Sequence, residues 1–119
     1  EILKQTVNVV KNNIRSADVL VRFGGEEFVV LMPQTSLQNA IVVAEKIRMA
    51  IATTIHPIAG RVTVSIGVAQ KNYNEKFDSW YKRGDEALYK AKKSGRNRVE
   101  MEYMGNLSTT HEELEDKVF

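Results

Sequence analysis

The chain is predicted to fold as an α+β sandwich, a mostly antiparallel sheet with helices packed on it. Two observations carry that prediction. The hydrophobic period switches repeatedly between the three-to-four spacing of a helix and the two-residue alternation of a strand. The elements so defined follow in the order helix, hairpin, helix, strand, helix, strand. At 119 residues, 43% of them hydrophobic, the chain can bury one core but not two.

Leu3, Val7, Val10 and Ile14 recur at helical spacing, so residues 1 to about 15 are expected to form an amphipathic helix. No N-cap precedes Glu1, and the element is expected to begin upstream of it. "DVLVRF" then alternates, with Val19, Val21 and Phe23 on one face, and Gly24 and Gly25 lead into "FVVLM", closed by Pro33. This predicts a β-hairpin, with the two glycines supplying the positive φ of a tight two-residue turn. Thr35 and Gln38 have capping-box spacing, and Leu37, Ile41, Ala44, Ile47 and Ile51 carry a helical stripe to about Thr54. "RVTVSIGVA" sets Val62, Val64, Ile66 and Val68 on one side and Thr63, Ser65, Gly67 and Ala69 on the other, as a central strand would. A further helix is expected from Asp78 as N-cap, with Trp80, Leu88 and Ala91 toward the core and Gly95 just past its basic end. "NRVEMEYM" suits a closing strand. The polar, acidic remainder has only a Thr110/Glu113 capping-box spacing and Leu114 with Val118, predicting a short appended helix or a frayed tail. The division is therefore 1–104 as the domain and 105–119 as a tail.

Several function classes are disfavoured by composition. With 17 basic and 15 acidic residues the net charge of +2 is near balance, so no nucleic-acid partner is implied. No apolar run approaches the roughly 18 residues of a membrane span, and nothing at the start reads as a signal peptide. Direct membrane insertion of this segment is not expected, and a cytoplasmic location is; whether a longer parent is tethered to a membrane is left open. Without cysteine there is neither a disulfide framework nor a thiolate metal site. His56 sits beside Pro57 in a polar connection, and His111, next to Glu112 and Glu113, matches no ligand spacing.

The hairpin tip poses the functional question, because adjacent carboxylates repel. Taken alone, Glu26 and Glu27 read as a solvated turn. In context, "RFGGEEF" (Arg22 to Phe28) resembles the signature of the GGDEF-domain diguanylate cyclases in its variant with Glu at the third position. Four more segments are similar to that family in the same order: "RSAD", with Arg15 nine residues before Gly24; "MPQTSLQNAIVVAEKIR"; "VTVSIGVA"; and "GDEALYKAKKSGRNRV".

The resemblance implies a palm-like, ferredoxin-like domain that condenses two GTP molecules into cyclic di-GMP and pyrophosphate with Mg²⁺ or Mn²⁺. A divalent cation would explain the carboxylate pair, since hard oxygen ligands hold Mg²⁺ against substrate phosphates. It implies that Glu26 is a metal ligand, and that Glu27 is either a second ligand or the group that helps deprotonate the attacking 3′-hydroxyl; both roles stay open. Gly24 and Gly25 would let the nucleotide approach, and Lys92 and Arg96 would contact its triphosphate, although basic residues also suit a helix C-terminus by themselves. Arg15 and Asp18 would form a product-binding inhibitory site, with Lys46 assisting. The residue-level alternative is that Arg15 ends a helix and Asp18 opens a turn. The family also implies a homodimer for activity and an upstream sensory or regulatory domain.

The family pattern includes, before the first helix, a strand and turn bearing another metal-binding Asp and the groups that read guanine. They are not visible, so the expectation is an N-terminally truncated domain, with its first strand absent, that by itself makes little or no cyclic di-GMP. The unpaired sheet position would invite dimerisation or strand exchange. Two rivals are a catalytically silent module that binds cyclic di-GMP or a partner, and an RNA-binding α+β domain. The second would need exposed aromatics on strands, for which only Phe23, Phe28 and Tyr103 stand.

Overall fold

The computed structural model describes residues 2–23, 27–56, 59–102 and 115–118. Helix α1 spans Ile2–Lys11, strand β1 Val19–Arg22, β2 Phe28–Pro33, helix α2 Leu37–Thr53, β3 Ile55–His56, β4 Gly60–Arg61, β5 Ile66–Gln70, helix α3 Phe77–Lys93, β6 Val99–Met101 and β7 Glu115–Val118. Five strands form one sheet in the order β1-β2-β7-β5-β6, with β5 and β6 parallel and the other pairs antiparallel. β3 and β4 make a separate two-stranded ribbon.

The sheet is covered on both faces. Val30, Met32, Ile66 and Val68 pack with Val10 of α1 and with Ala40, Ala44, Ile47 and Ile51 of α2. The alternate positions Val29 and Leu31 pack instead with Leu88 and Tyr81 of α3. Period-two alternation thus divides β2 between two layers. β5 follows the same rule: its larger residues face α2, while Gly67 comes so close to α3 that a β-carbon there would stand 2.3 Å from the Leu88 amide nitrogen. Trp80, 2% exposed, fastens the same contact by donating Nε1–H to the Ala69 carbonyl at 2.8 Å.

Several element expectations need correction. α1 ends at Lys11 rather than near residue 15, where Asn12 and Asn13 amides close onto Asn8 and Val10 carbonyls and the Asn13 side chain donates to the Val9 carbonyl. On β1 the expected alternation holds, and its two faces meet different layers: Leu20 packs against the main core, while Val19, 48% exposed, and Val21 pair with Leu31 and Val29, which pack toward α3. The N-cap of α2 is Ser36, whose hydroxyl accepts from the Asn39 amide at 3.1 Å, and not Thr35. Lys76, not Asp78, stands at the N-cap of α3, leaving Asp78 in the first turn to complement the helix dipole. The central strand starts only at Ile66, where pairing with the β6 side begins through the Arg98 carbonyl. Most unexpected is β7: residues 115–118, anticipated as part of a helix or frayed tail, lie in the sheet between β2 and β5. They are paired on both sides at an interior position of the sheet, where the expectation was of a sheet edge or groove left unpaired. Thr110, His111, Glu113 and Tyr103 lie outside the described residues, as does the side chain of His56.

Candidate functional site

The hairpin is a longer loop than expected. Arg22 pairs with Phe28, so residues 23–27 connect the strands, and the Phe23 amide donates to the Glu27 carbonyl at 2.8 Å. Gly24, Gly25 and Glu26 lie outside the described residues. Glu27 lies within them, and its carboxylate accepts a 2.8 Å hydrogen bond from the Tyr81 hydroxyl of α3. Burial first, and then that hydrogen bond, pushes the Tyr81 phenol up to about 12, so its hydroxyl stays a donor across the physiological range.

Glu27 also borders a cleft of about 470 Å³. The cleft is also lined by Lys92, in the last turn of α3, and Arg96, just beyond it, and by apolar side chains including Val30, Ile47 and Ile66. Three of the expected site residues therefore converge, although Glu27 and Arg96 are 69 positions apart in sequence. The helix end that presents the two cations is tightly built. Gly95 has φ +123°, and the Arg96 amide reaches back to the Ala91 carbonyl at 2.9 Å, a Schellman closure that only a residue free of β-carbon strain adopts readily. Arg96 and Asn97 follow in the left-handed region, at φ 62° and 49°. Asn97 is held there by its amide donating to Ser65 Oγ at 3.1 Å and by Arg48 donating to its Oδ1 at 2.7 Å. Asn97 thus fixes the turn, as anticipated.

Arg15 and Asp18 are engaged with each other. The Arg15 guanidinium donates through Nε and one terminal nitrogen to Asp18, at 3.2 and 2.7 Å, and the Arg15 backbone amide adds a 2.7 Å bond. The same terminal nitrogen reaches the Pro33 carbonyl and Thr35 Oγ1. The hydrogen bond to Asp18 raises the Arg15 guanidinium above its ordinary value. The Asp18 side chain is wholly enclosed, whereas that of Arg15 is 52% exposed. Lys46 is exposed on α2, and among the described residues no hydrogen bond or ion pair joins it to Arg15 or Asp18.

Sequence reasoning missed Tyr81, whose hydroxyl donates to the Glu27 carboxylate, together with the aromatic group around it. Phe23 stacks on Tyr81 with ring centroids 5.2 Å apart, and Phe77 lies 5.9 Å from Tyr81. The available signal was Phe77 and Tyr81 at i and i+4, one face of a helix. Among the described residues no group of three or more His, Cys, Asp or Glu side chains is placed to hold a metal ion, and no helix is long and apolar enough to cross a membrane.

Comparison with known proteins shows the family and the fold. The family described as "Diguanylate cyclase, GGDEF domain" matches residues 1–98. Diguanylate cyclase DgcM of Escherichia coli K12 is 46% identical over 99 residues, covering 83% of this chain and 24% of that protein, so the chain spans about a quarter of that relative's length. Among solved structures, the active GGEEF domain of a diguanylate cyclase from Vibrio cholerae superposes with a TM-score of 0.79 at 28% identity, over 87% of this chain and 67% of that one. The GGDEF domain of DgcB from Caulobacter crescentus, solved in complex with c-di-GMP, gives the same TM-score and identity over 87% and 62%. The α+β palm-like fold expected from sequence is thereby shared. With the family match spanning residues 1–98 and the fold shared, this chain belongs to the GGDEF-domain family of diguanylate cyclases.

Proposed function

We propose that this domain supplies one GTP-binding half-site of a diguanylate cyclase, in which two GTP molecules are joined into cyclic di-GMP with release of pyrophosphate. The observation that carries the proposal is the convergence of Glu27, Lys92 and Arg96 on one cleft. Two cations and a carboxylate lining one cleft suit a triphosphate whose charge is shared between protein and a divalent ion. Lys92 and Arg96 would hold the phosphates and offset the charge of the departing pyrophosphate. Gly24 and Gly25 would admit the nucleotide to the hairpin backbone.

The donor set fits such an ion. Mg²⁺ is commonly held by one or two carboxylates together with substrate phosphates, rather than by a full protein cage. Glu27 offers a hard oxygen at the cleft and Glu26 adjoins it in sequence, so these two would hold Mg²⁺ or Mn²⁺. The ion, when bound, would neutralise phosphate charge during nucleotidyl transfer. Glu27 has the alternative role of accepting the 3′-hydroxyl proton. Because the reaction joins two nucleotides, each presented by one subunit, the active form would be a homodimer, governed by a regulatory domain elsewhere in the protein.

Arg15 and Asp18 would read guanine of the product, the arginine fork matching O6 and N7 and the carboxylate matching donors on the opposite edge. Since Asp18 is enclosed by Arg15, the exposed guanidinium would meet the product first, and Asp18 would become available only as Arg15 turns outward. Calorimetric titration tests both sites. GTP with Mg²⁺ should bind at least about tenfold more weakly to Lys92→Ala and Arg96→Ala, while Arg15→Ala should lose cyclic di-GMP and keep GTP. GTP affinity unchanged in both cation variants would refute the assignment of the cleft.

A further inference from the structure

We infer that Tyr81 is a positioning residue for Glu27: its hydroxyl fixes the rotamer of the hairpin carboxylate so that the remaining oxygen is presented to a divalent cation in the cleft. The inference rests on the proposed reading of Glu27 as a metal-holding group, and it adds a residue outside every motif that carries the family resemblance.

Glu27 is held twice. Its backbone carbonyl accepts from the Phe23 amide at 2.8 Å, and its Oε1 accepts from the Tyr81 hydroxyl at 2.8 Å. The first bond sets where the side chain leaves the loop, and the second sets where it ends. A glutamate has three rotatable side-chain bonds, and an unrestrained one would lose most of that freedom when it binds an ion. Tyr81 removes part of that freedom beforehand. A hydrogen bond to one oxygen also leaves the other open to a metal, because an ionised carboxylate offers about four lone-pair sites.

The donor is itself packed. The Tyr81 ring forms a triangle with Phe23, 5.2 Å away with planes 21° apart, and Phe77, 5.9 Å away with planes 30° apart, and those two rings are 6.2 Å from each other. Phe77 meets Trp80 edge-on at 6.1 Å, and Trp80 is tied to the Ala69 carbonyl of β5. A continuous set of packed rings therefore connects the sheet interior to the carboxylate. Groups that orient a metal ligand in this way typically change metal affinity by about tenfold or more when removed.

The test is Mn²⁺ uptake in the presence of GTP, followed by the EPR signal of the free ion, on the wild-type chain, Tyr81→Phe, Tyr81→Leu and Glu27→Gln, with thermal unfolding recorded in parallel. Phenylalanine keeps the ring stack and removes the hydroxyl; leucine removes both. The expected result is that Tyr81→Phe and Tyr81→Leu weaken Mn²⁺ by a similar factor, about tenfold, that Glu27→Gln weakens it at least as much, and that only the leucine variant loses appreciable thermal stability. Mn²⁺ affinity unchanged in Tyr81→Phe but reduced in Glu27→Gln would overturn the positioning role and leave the reading of Glu27 standing. Affinity unchanged in Glu27→Gln, or no Mn²⁺ uptake by the wild-type chain, would overturn that reading and the positioning role with it.

Discussion

Replacing Gly67 with alanine measures how closely α3 must sit on β5 for the cleft to exist. An alanine β-carbon would lie 2.3 Å from the Leu88 amide nitrogen, 2.5 Å from the Gly84 carbonyl oxygen and 2.8 Å from Leu88 Cα, whereas ordinary contact begins near 3.4 Å. All three are backbone atoms, so no rotamer change relieves the clash, and α3 must retreat by about 1 Å. A gap of that size forfeits a quarter to a half of each dispersion contact across it, at an interface that includes buried Trp80, Ala87, Leu88 and Ala91. Overpacking of this kind costs about 1–3 kcal/mol when neighbours can adjust. With backbone on every side, the upper end, about 3 kcal/mol, is expected. Alanine restricts the unfolded chain and recovers about 0.5 kcal/mol. At about 4 °C per kcal/mol for a domain of this size, Tm should fall by about 10 °C. Circular dichroism melts read the shift, and calorimetry with GTP and Mg²⁺ should show weakened binding, since α3 carries Lys92 and the turn that closes it carries Arg96. A fall in Tm smaller than about 3 °C would refute the claim that α3 is seated on the bare glycine.

Other expectations test separate parts of the structure. Asp18→Ala leaves the Arg15 amide and guanidinium without their enclosed acceptor, so stability in urea should fall by roughly 2 kcal/mol; an unchanged midpoint would mean that the pair does not secure the loop after α1. Burial alone would raise the Glu75 carboxyl, but hydrogen bonds from Arg83, the Asn72 amide and Ser79 outweigh it and hold the group below its ordinary value of 4.5. A carboxylate so depressed stabilises the fold above pH 4.5 and loses that contribution as pH falls through the folded-state value. The Tm advantage of wild type over Glu75→Gln should therefore be greatest at neutral pH and shrink below about pH 4.5, and a gap independent of pH would contradict the assignment. Lys117→Pro breaks β7 between its pairings with Leu31 and Ala69. It should lower stability by about 2–3 kcal/mol, whereas an unaltered Tm would show that this strand contributes nothing to the sheet.

The sequence was most informative where a short pattern determines a local structure. Ala44, Ile47 and Ile51 were read as the inner face of α2 because a helical stripe allows one burial direction, and Gly95 was read as the residue beyond α3 because few others suit that backbone. Where two assignments fit equally it left the choice open or misled. In "VLVR" both faces of β1 begin apolar, and only the register Val19↔Leu31 brings Leu20 to the α2 side. Thr35 and Ser36 are adjacent hydroxyls, either able to cap a helix. Arg15, twenty residues away, decides between them by engaging Thr35. Residues 115–118 read "EDKV", a poor composition for an interior strand. What favours their pairing is the pair of open ladders on β2 and β5, which no local window contains. Glu27, Lys92 and Arg96 were legible by motif, but their partner Tyr81 was not, because a phenol on a helix face has no signature until the hairpin arrives beside it.

The dimensions of the cleft are consequently governed by a strand that bears none of the proposed site residues. The hairpin with Glu27 belongs to β1 and β2, the cations belong to the last turn of α3 and the turn after it, and these two sides meet through the sheet, the packing of Val29 and Leu31 with Leu88, and the ring set around Tyr81. β5 sets their separation: Gly67 lets α3 approach to backbone contact, and the Ala69 carbonyl fastens Trp80. Ile66 and Val68, on the other face, instead hold α2. Enlarging a residue on the α3 side of β5 should therefore weaken triphosphate binding along with stability, because it displaces the cations from the carboxylate. Trimming Val68, on the α2 side and outside the lining of the cleft, should reduce stability with little effect on affinity in the remaining folded molecules. This follows because a 1 Å displacement matters far more to a pair of charges gripping one phosphate chain than to an apolar layer that can partly close over a lost methyl group.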